Sequence, residues 1–68
     1  MSVARITEIK SSSKKSLEDA VQVGVDRANK TLKNVRGAWV KEMEVECGKD
    51  GRITEYRVLL KVTFILEE

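Results

Sequence analysis

The stretch Ile53-Thr54-Glu55-Tyr56-Arg57-Val58-Leu59-Leu60-Lys61-Val62-Thr63-Phe64-Ile65-Leu66 decides the fold. By the period-two rule Tyr56, Val58, Leu60, Val62, Phe64 and Leu66 share one face, a continuous apolar row that predicts the floor of a core. The opposite face carries Ile53, Glu55, Arg57, Leu59, Lys61, Thr63 and Ile65, the mixture expected of a subunit interface or a ligand platform. As one extended strand the stretch reaches roughly 45 Å at about 3.3 Å per residue, whereas the helix available to cover it reaches roughly 27 Å. The overhang has to be buried by further subunits, which predicts an assembly.

Working outward, Gly48-Lys49-Asp50-Gly51 precedes this strand and contains an Asp-Gly pair, a strong hairpin-turn signal. A second strand is predicted upstream, from about Ala38 to Cys47, after a short connection from Asn34 that contains Gly37. Further back, Ser16 followed by Asp19 is close to a capping box, with Glu18 and Asp19 suited to a positive helix start. The helix begins at Leu17, and Leu17, Val21, Gly24, Ala28 and Leu32 recur on one buried face to about Lys33. Lys30 and Lys33 suit its last turn. Gly24 inside that face costs about 1 kcal/mol relative to Ala, so it marks close approach of the helix to its neighbour. Val3 to Lys10 alternates loosely as a first strand, with Ser11-Ser12-Ser13 expected as the turn that stops it. The order is strand, helix, strand, strand: an α+β, β-α-β-β subunit with one helix on one face of a three-stranded antiparallel sheet.

The chain has 68 residues, which sets the expectation of a single domain spanning 1–68. A domain of about 60 residues buries only about 60% of the surface its unfolded chain exposes. With one cysteine, Cys47, and no histidine, neither an internal disulfide nor a common zinc-ligand spacing is available, so oligomerisation is the remaining staple. No basic segment followed by an apolar run opens the chain and no stretch approaches ~18 apolar residues, which favours a cytoplasmic protein without a membrane span. Thirteen Lys and Arg against eleven Asp and Glu give a net charge of +2, with the two signs interspersed, and this argues against nucleic acid as partner.

Catalysis is not expected: histidine, a phosphate-binding Gly-rich loop and a serine motif with a base are all missing from the sequence. Cys47 has Glu46 and Glu44 as sequence neighbours and lacks the cationic setting that activates a thiol. Trp39, the sole Trp, can stack on a planar ligand or fill an interface. Arg57 can be a solvated strand residue or a fork-shaped donor to an acidic or carbonyl-bearing partner, with an intersubunit ion pair the commoner outcome.

The whole chain resembles the dodecins. The resemblance rests on Glu8-Ile9 before the Ser run, Glu18-Asp19-Ala20-Val21 with Arg27-Ala28 and Thr31-Leu32, Val40-Lys41-Glu42, Glu55-Tyr56-Arg57-Val58, and Lys61-Val62-Thr63-Phe64-Ile65-Leu66-Glu67. It implies a hollow homododecamer that binds flavins, usually as stacked pairs between subunits, and so stores or sequesters riboflavin or flavin mononucleotide. The family's stacking Trp aligns with Gly37, and Trp39 lies two residues on, on the same face but about 6.5 Å away. The family's ring-binding Gln aligns with Arg57, which offers donors only. Arginines found in phosphate-binding members align with Glu44 and Ile65, which weakens the expectation of a phosphorylated ligand. Gly37, Trp39 and Arg57 are the cofactor-binding candidates that follow. The alternative is a non-flavin relative, a structural shell with ions held by carboxylates such as Glu42 and Glu44.

Overall fold

A computed structural model describes residues 3–66. Four elements follow one another: β1 (Val3–Ser13), α1 (Leu17–Thr31), β2 (Val35–Cys47) and β3 (Ile53–Leu66). The sheet has the order β1-β3-β2, with both pairings antiparallel, so the decisive strand is central. The expected β-α-β-β order and single sheet are therefore observed.

The serine run is not the turn that the sequence suggested. Ser11, Ser12 and Ser13 remain in β1, opposite Val58, Arg57 and Tyr56. Small hydroxyl residues are needed at Ser11 and Ser13 because α1 comes down on their face, while Ser12 is exposed on the opposite face. Ser11 Oγ donates to the Ala20 carbonyl at 2.6 Å, and Ser13 Oγ donates to Asp19 Oδ2 at 2.6 Å. The strand ends only where Lys15 N–H turns back onto Ser13 Oγ at 2.9 Å. Ser16 then caps α1 as expected, its backbone extended and its hydroxyl accepting from Asp19 N–H at 2.9 Å.

The far end of α1 is two residues shorter than expected. Leu32 is already extended, its N–H closing on the Ala28 carbonyl at 2.9 Å, and Asn34 sits at φ 61°, a left-handed value that Asn tolerates better than most residues. Asn34 also accepts from Ile65 N–H at 3.1 Å, which draws the chain straight into the sheet. For the same reason β2 starts at Val35 rather than Ala38, and Lys33 lies outside the helix. The turn between β2 and β3 is as expected: Gly51 takes φ 81° and its N–H donates to the Gly48 carbonyl at 3.0 Å.

The core is small. Val58, Leu60 and Val62 of β3 and Ala20 and Ala28 of α1 are buried, with Ile9, Leu17, Val21, Val25, Leu32 and Val35 packed against them. Ala20, Gly24 and Ala28 form a stripe of small residues at four-residue spacing where the helix approaches the sheet most closely. A Cβ on Gly24 would lie 2.7 Å from both Leu60 Cδ1 and Ser11 Oγ, so the close approach expected at this glycine is observed. Of the predicted apolar row only the middle is buried; Tyr56 and Phe64 are half-buried and Leu66 is exposed.

The subunit measures 53 × 19 × 13 Å, against a helix of about 22 Å. The overhang predicted for β3 is therefore present. The uncovered apolar surface is larger than the sequence indicated, because it occurs on both sheet faces. On the helix side of β2, Val40, Met43 and Val45 remain exposed.

Candidate functional site

The sheet face opposite α1 is ordered by three register irregularities, the first at Arg36 between Val35 and Gly37. Lys41 is skipped in the β2 ladder between Val40 and Glu42, and Thr54 is skipped in β3 between Ile53 and Glu55. Each is a bulge that shifts the alternation by one residue. Gly37 and Trp39 pair with Thr63 and Lys61 on the far face. Beyond the bulge Glu42, Glu44 and Glu46 pair with Leu59, Arg57 and Glu55 on that same face. Odd- and even-numbered residues of β2 thus look the same way.

Successive rows run across the face. In one, Trp39 pairs with Lys61 and Lys61 with Glu8. The indole is half-exposed, and the Lys61 ammonium lies 5.5 Å from its ring centroid, within reach of a cation–π attraction. Lys41 reaches over to Glu8, Nζ to Oε2 3.2 Å, and so engages the carboxylate that faces Lys61. Gly37 borders this row, and nothing lies within 4 Å of where its side chain would begin. The glycine leaves open space beside the indole.

Two register steps away, Arg57 is held by three carboxylates. Its Nη2 lies 2.6 Å from Glu46 Oε2 and 2.9 Å from Glu55 Oε1, its Nε donates to Glu55 Oε1 at 3.0 Å, and Nη1 lies 3.5 Å from Glu44 Oε1. Hydrogen bonding to Glu46, then to Glu55, raises the guanidinium pKa above its ordinary value. Three anions around one cation leave this end of the face net negative. An open hollow of about 400 Å³ lies at this end of the face, bordered by Lys10, Glu42, Glu44, Arg57 and Leu59.

Of the candidate residues, the fold brings Gly37 and Trp39 together and sets Arg57 apart. Arg57 and Lys61 are four residues apart in β3, roughly 13 Å at about 3.3 Å per residue. Arg57 is ion-paired with carboxylates of its own hairpin, whereas the pair expected for it was one between subunits. Glu42 and Glu44 are exposed on the same face, and among the described residues no group of three or more acidic, His or Cys side chains is placed to hold a metal ion. Cys47 is a free, exposed thiol. No helix of the described residues is long and apolar enough to cross a membrane.

Sequence reasoning missed Lys61 as a partner of Trp39. Counting back from a four-residue Gly48–Gly51 turn pairs Cys47 with Arg52 and so puts Trp39 opposite Leu60 and Glu44 opposite Glu55; the observed partners, Lys61 and Arg57, follow only from the register at the turn and the bulges at Thr54 and, for Trp39, Lys41.

Comparison with known proteins follows the same lines. A family model described as Dodecin matches residues 3–67. A dodecin from Thermus thermophilus is 39% identical over 66 residues, covering 97% of this chain and 94% of the relative. Among solved structures, an arginine-to-alanine mutant of the T. thermophilus dodecin superposes with a TM-score of 0.91 at 38% identity over 100% of both chains. The dodecin from Streptomyces davaonensis gives 0.90 at 33% identity, over 98% of this chain and 97% of its own. A calcium-chelating immunodominant antigen from Mycobacterium tuberculosis, a calcium dodecin with a novel calcium-binding site, gives 0.79 at 31% identity over 96% and 91%. With the β-α-β-β order, the central long strand and a family match over almost its whole length, this chain belongs to the dodecin family.

Proposed function

We propose that this chain forms, as a single domain, a cytoplasmic homododecameric binding protein that stores or sequesters flavin, riboflavin or flavin mononucleotide, or a similar planar ligand, without turnover. The observation that carries this reading is Trp39, half-exposed on an uncovered sheet face, with open space left by Gly37 beside it and a shallow hollow further along the same face, at Arg57. An exposed indole presents a flat, polarizable surface that a second ring system can cover. Arg57 would meet the ring edge from the other end of the face, in exchange for one of its carboxylates, or from a neighbouring copy across the interface. The exposed apolar row Val40, Met43 and Val45 is what further copies would cover.

The test is titration with riboflavin followed by Trp39 fluorescence, with particle mass measured by light scattering on the same sample. Saturable quenching on a particle of about twelve subunits is expected, and Trp39→Ala should abolish binding while leaving the mass unchanged. An intact particle without quenching removes flavin as the ligand.

A second reading is favoured by the calcium dodecin of M. tuberculosis; Glu42, Glu44, Glu46 and Glu55 share one face here but, among the described residues, form no group placed to hold a metal ion. In it the assembly is a shell that binds hard cations through oxygen ligands. Calorimetric titration with calcium separates the two readings, since a flavin platform predicts no calcium heat.

A further inference from the structure

We propose that Lys61, its ammonium set over the Trp39 ring, is the specificity-determining residue of this platform, and that it selects planar aromatic ligands bearing an anionic group at their rim over neutral ones of the same size. The inference rests on the reading of Trp39 as a stacking surface. Lys61 Nζ lies 5.5 Å from the indole centroid, and register fixes it there, because the two residues are cross-strand partners on the same face. The carboxylate that would compete for it, Glu8 on β1, is engaged by Lys41 at 3.2 Å. Among the described residues Lys61 forms no ion pair; its partner is the ring.

A ligand that covers the indole on that side has to displace the ammonium. A neutral ring takes the cation–π partner away and returns nothing. A ring with an anionic rim re-pairs the ammonium as it arrives. The Arg57 end of the face repels such a group, because Glu42, Glu44, Glu46 and Glu55 outnumber the two cations there, Arg57 and Lys10. The platform is therefore polar along its length, and an anionic substituent is directed toward Lys61. Gly37, which leaves room beside the indole, sets no charge preference of its own.

The experiment uses the assembled protein and two probes of equal ring size, 2-naphthoate and 2-naphthylmethanol, with affinities measured by isothermal titration calorimetry beside riboflavin. Loss of an exposed cation–π contact corresponds to a difference of about twofold to fivefold in affinity, and wild type should prefer naphthoate by at least that much. Lys61→Met, which keeps the apolar stem, should erase or reverse the preference, and Lys61→Arg should restore it. Light scattering establishes that each variant keeps the wild-type mass. Riboflavin binding without a naphthoate preference, or a preference that survives Lys61→Met, overturns the role of Lys61 and leaves the platform standing. If neither the probes nor riboflavin bind, the stacking reading itself fails, and the proposal with it.

Discussion

Val58, Leu60 and Val62 lie beneath α1 and have lost nearly all exposure, while their cross-strand partners on the same sheet face, Met43, Val40 and Ala38, are exposed. One strand spacing separates the two rows. The cause is width: a helix with its side chains is about 10 Å across, and strands lie about 4.8 Å apart, so α1 seated over β1 and β3 cannot also cover β2. One subunit therefore contains a finished core and, alongside it, apolar surface of the same kind that is not yet covered. The covered row stabilises the chain by itself, and the uncovered row does so only when other copies meet it.

The sharpest way to break that comparison is within the covered row. Leu60→Ala removes a fully buried side chain under the helix, and the expected loss is about 2–5 kcal/mol, read as a shift in the urea midpoint. A shift well below 1 kcal/mol would mean that Leu60 is not central to the core. Gly24→Ala should come next. The added methyl meets Leu60 and Ser11 at 2.7 Å; overpacking costs about 1–3 kcal/mol and improved helix propensity returns about 1. A net destabilisation of up to about 2 kcal/mol is expected, and stabilisation by this substitution would contradict the close approach. Met43→Ser, in the uncovered row at 61% exposure, should change subunit stability by no more than about 0.5 kcal/mol. Its effect belongs in the particle mass, which light scattering should show falling at low protein concentration. An unchanged mass at every concentration would show that this row is not an interface.

The parts of the fold legible in the sequence were those specified by local chemistry. Ser16 as helix cap, the Asp50-Gly51 turn, Gly24 as a point of contact and the alternation of β3 depend on residues within a few positions of one another. What was not legible depends on partners far along the chain. The Ser11–Ser13 run reads as a turn until α1 is placed above it, where small hydroxyl side chains become useful. The early start of β2 depends on the bond between Ile65 and Asn34. The candidate site divides in the same way. Trp39 was legible as the sole Trp on a strand, whereas the carboxylates around Arg57 required knowing the register at the turn and the bulge at Thr54. Arg57 as a ring-edge donor was inferred from resemblance alone; the three glutamates that hold it reflect this chain's own pairing.

The extra residue Lys41 has one more consequence. The topology leaves β2 at a sheet edge, and 13 residues of regular edge would expose a long row of unpaired amides and carbonyls, an open template for indefinite growth by strand addition. The irregularities at Val35–Gly37 and Val40–Glu42 interrupt that row twice within its first half. A strand arriving there finds no long run of evenly spaced partners, so edge pairing into fibres is disfavoured while side-chain faces remain free to associate. The residue that brings Trp39 and Glu44 onto a common face also breaks up the open edge along which filaments would grow.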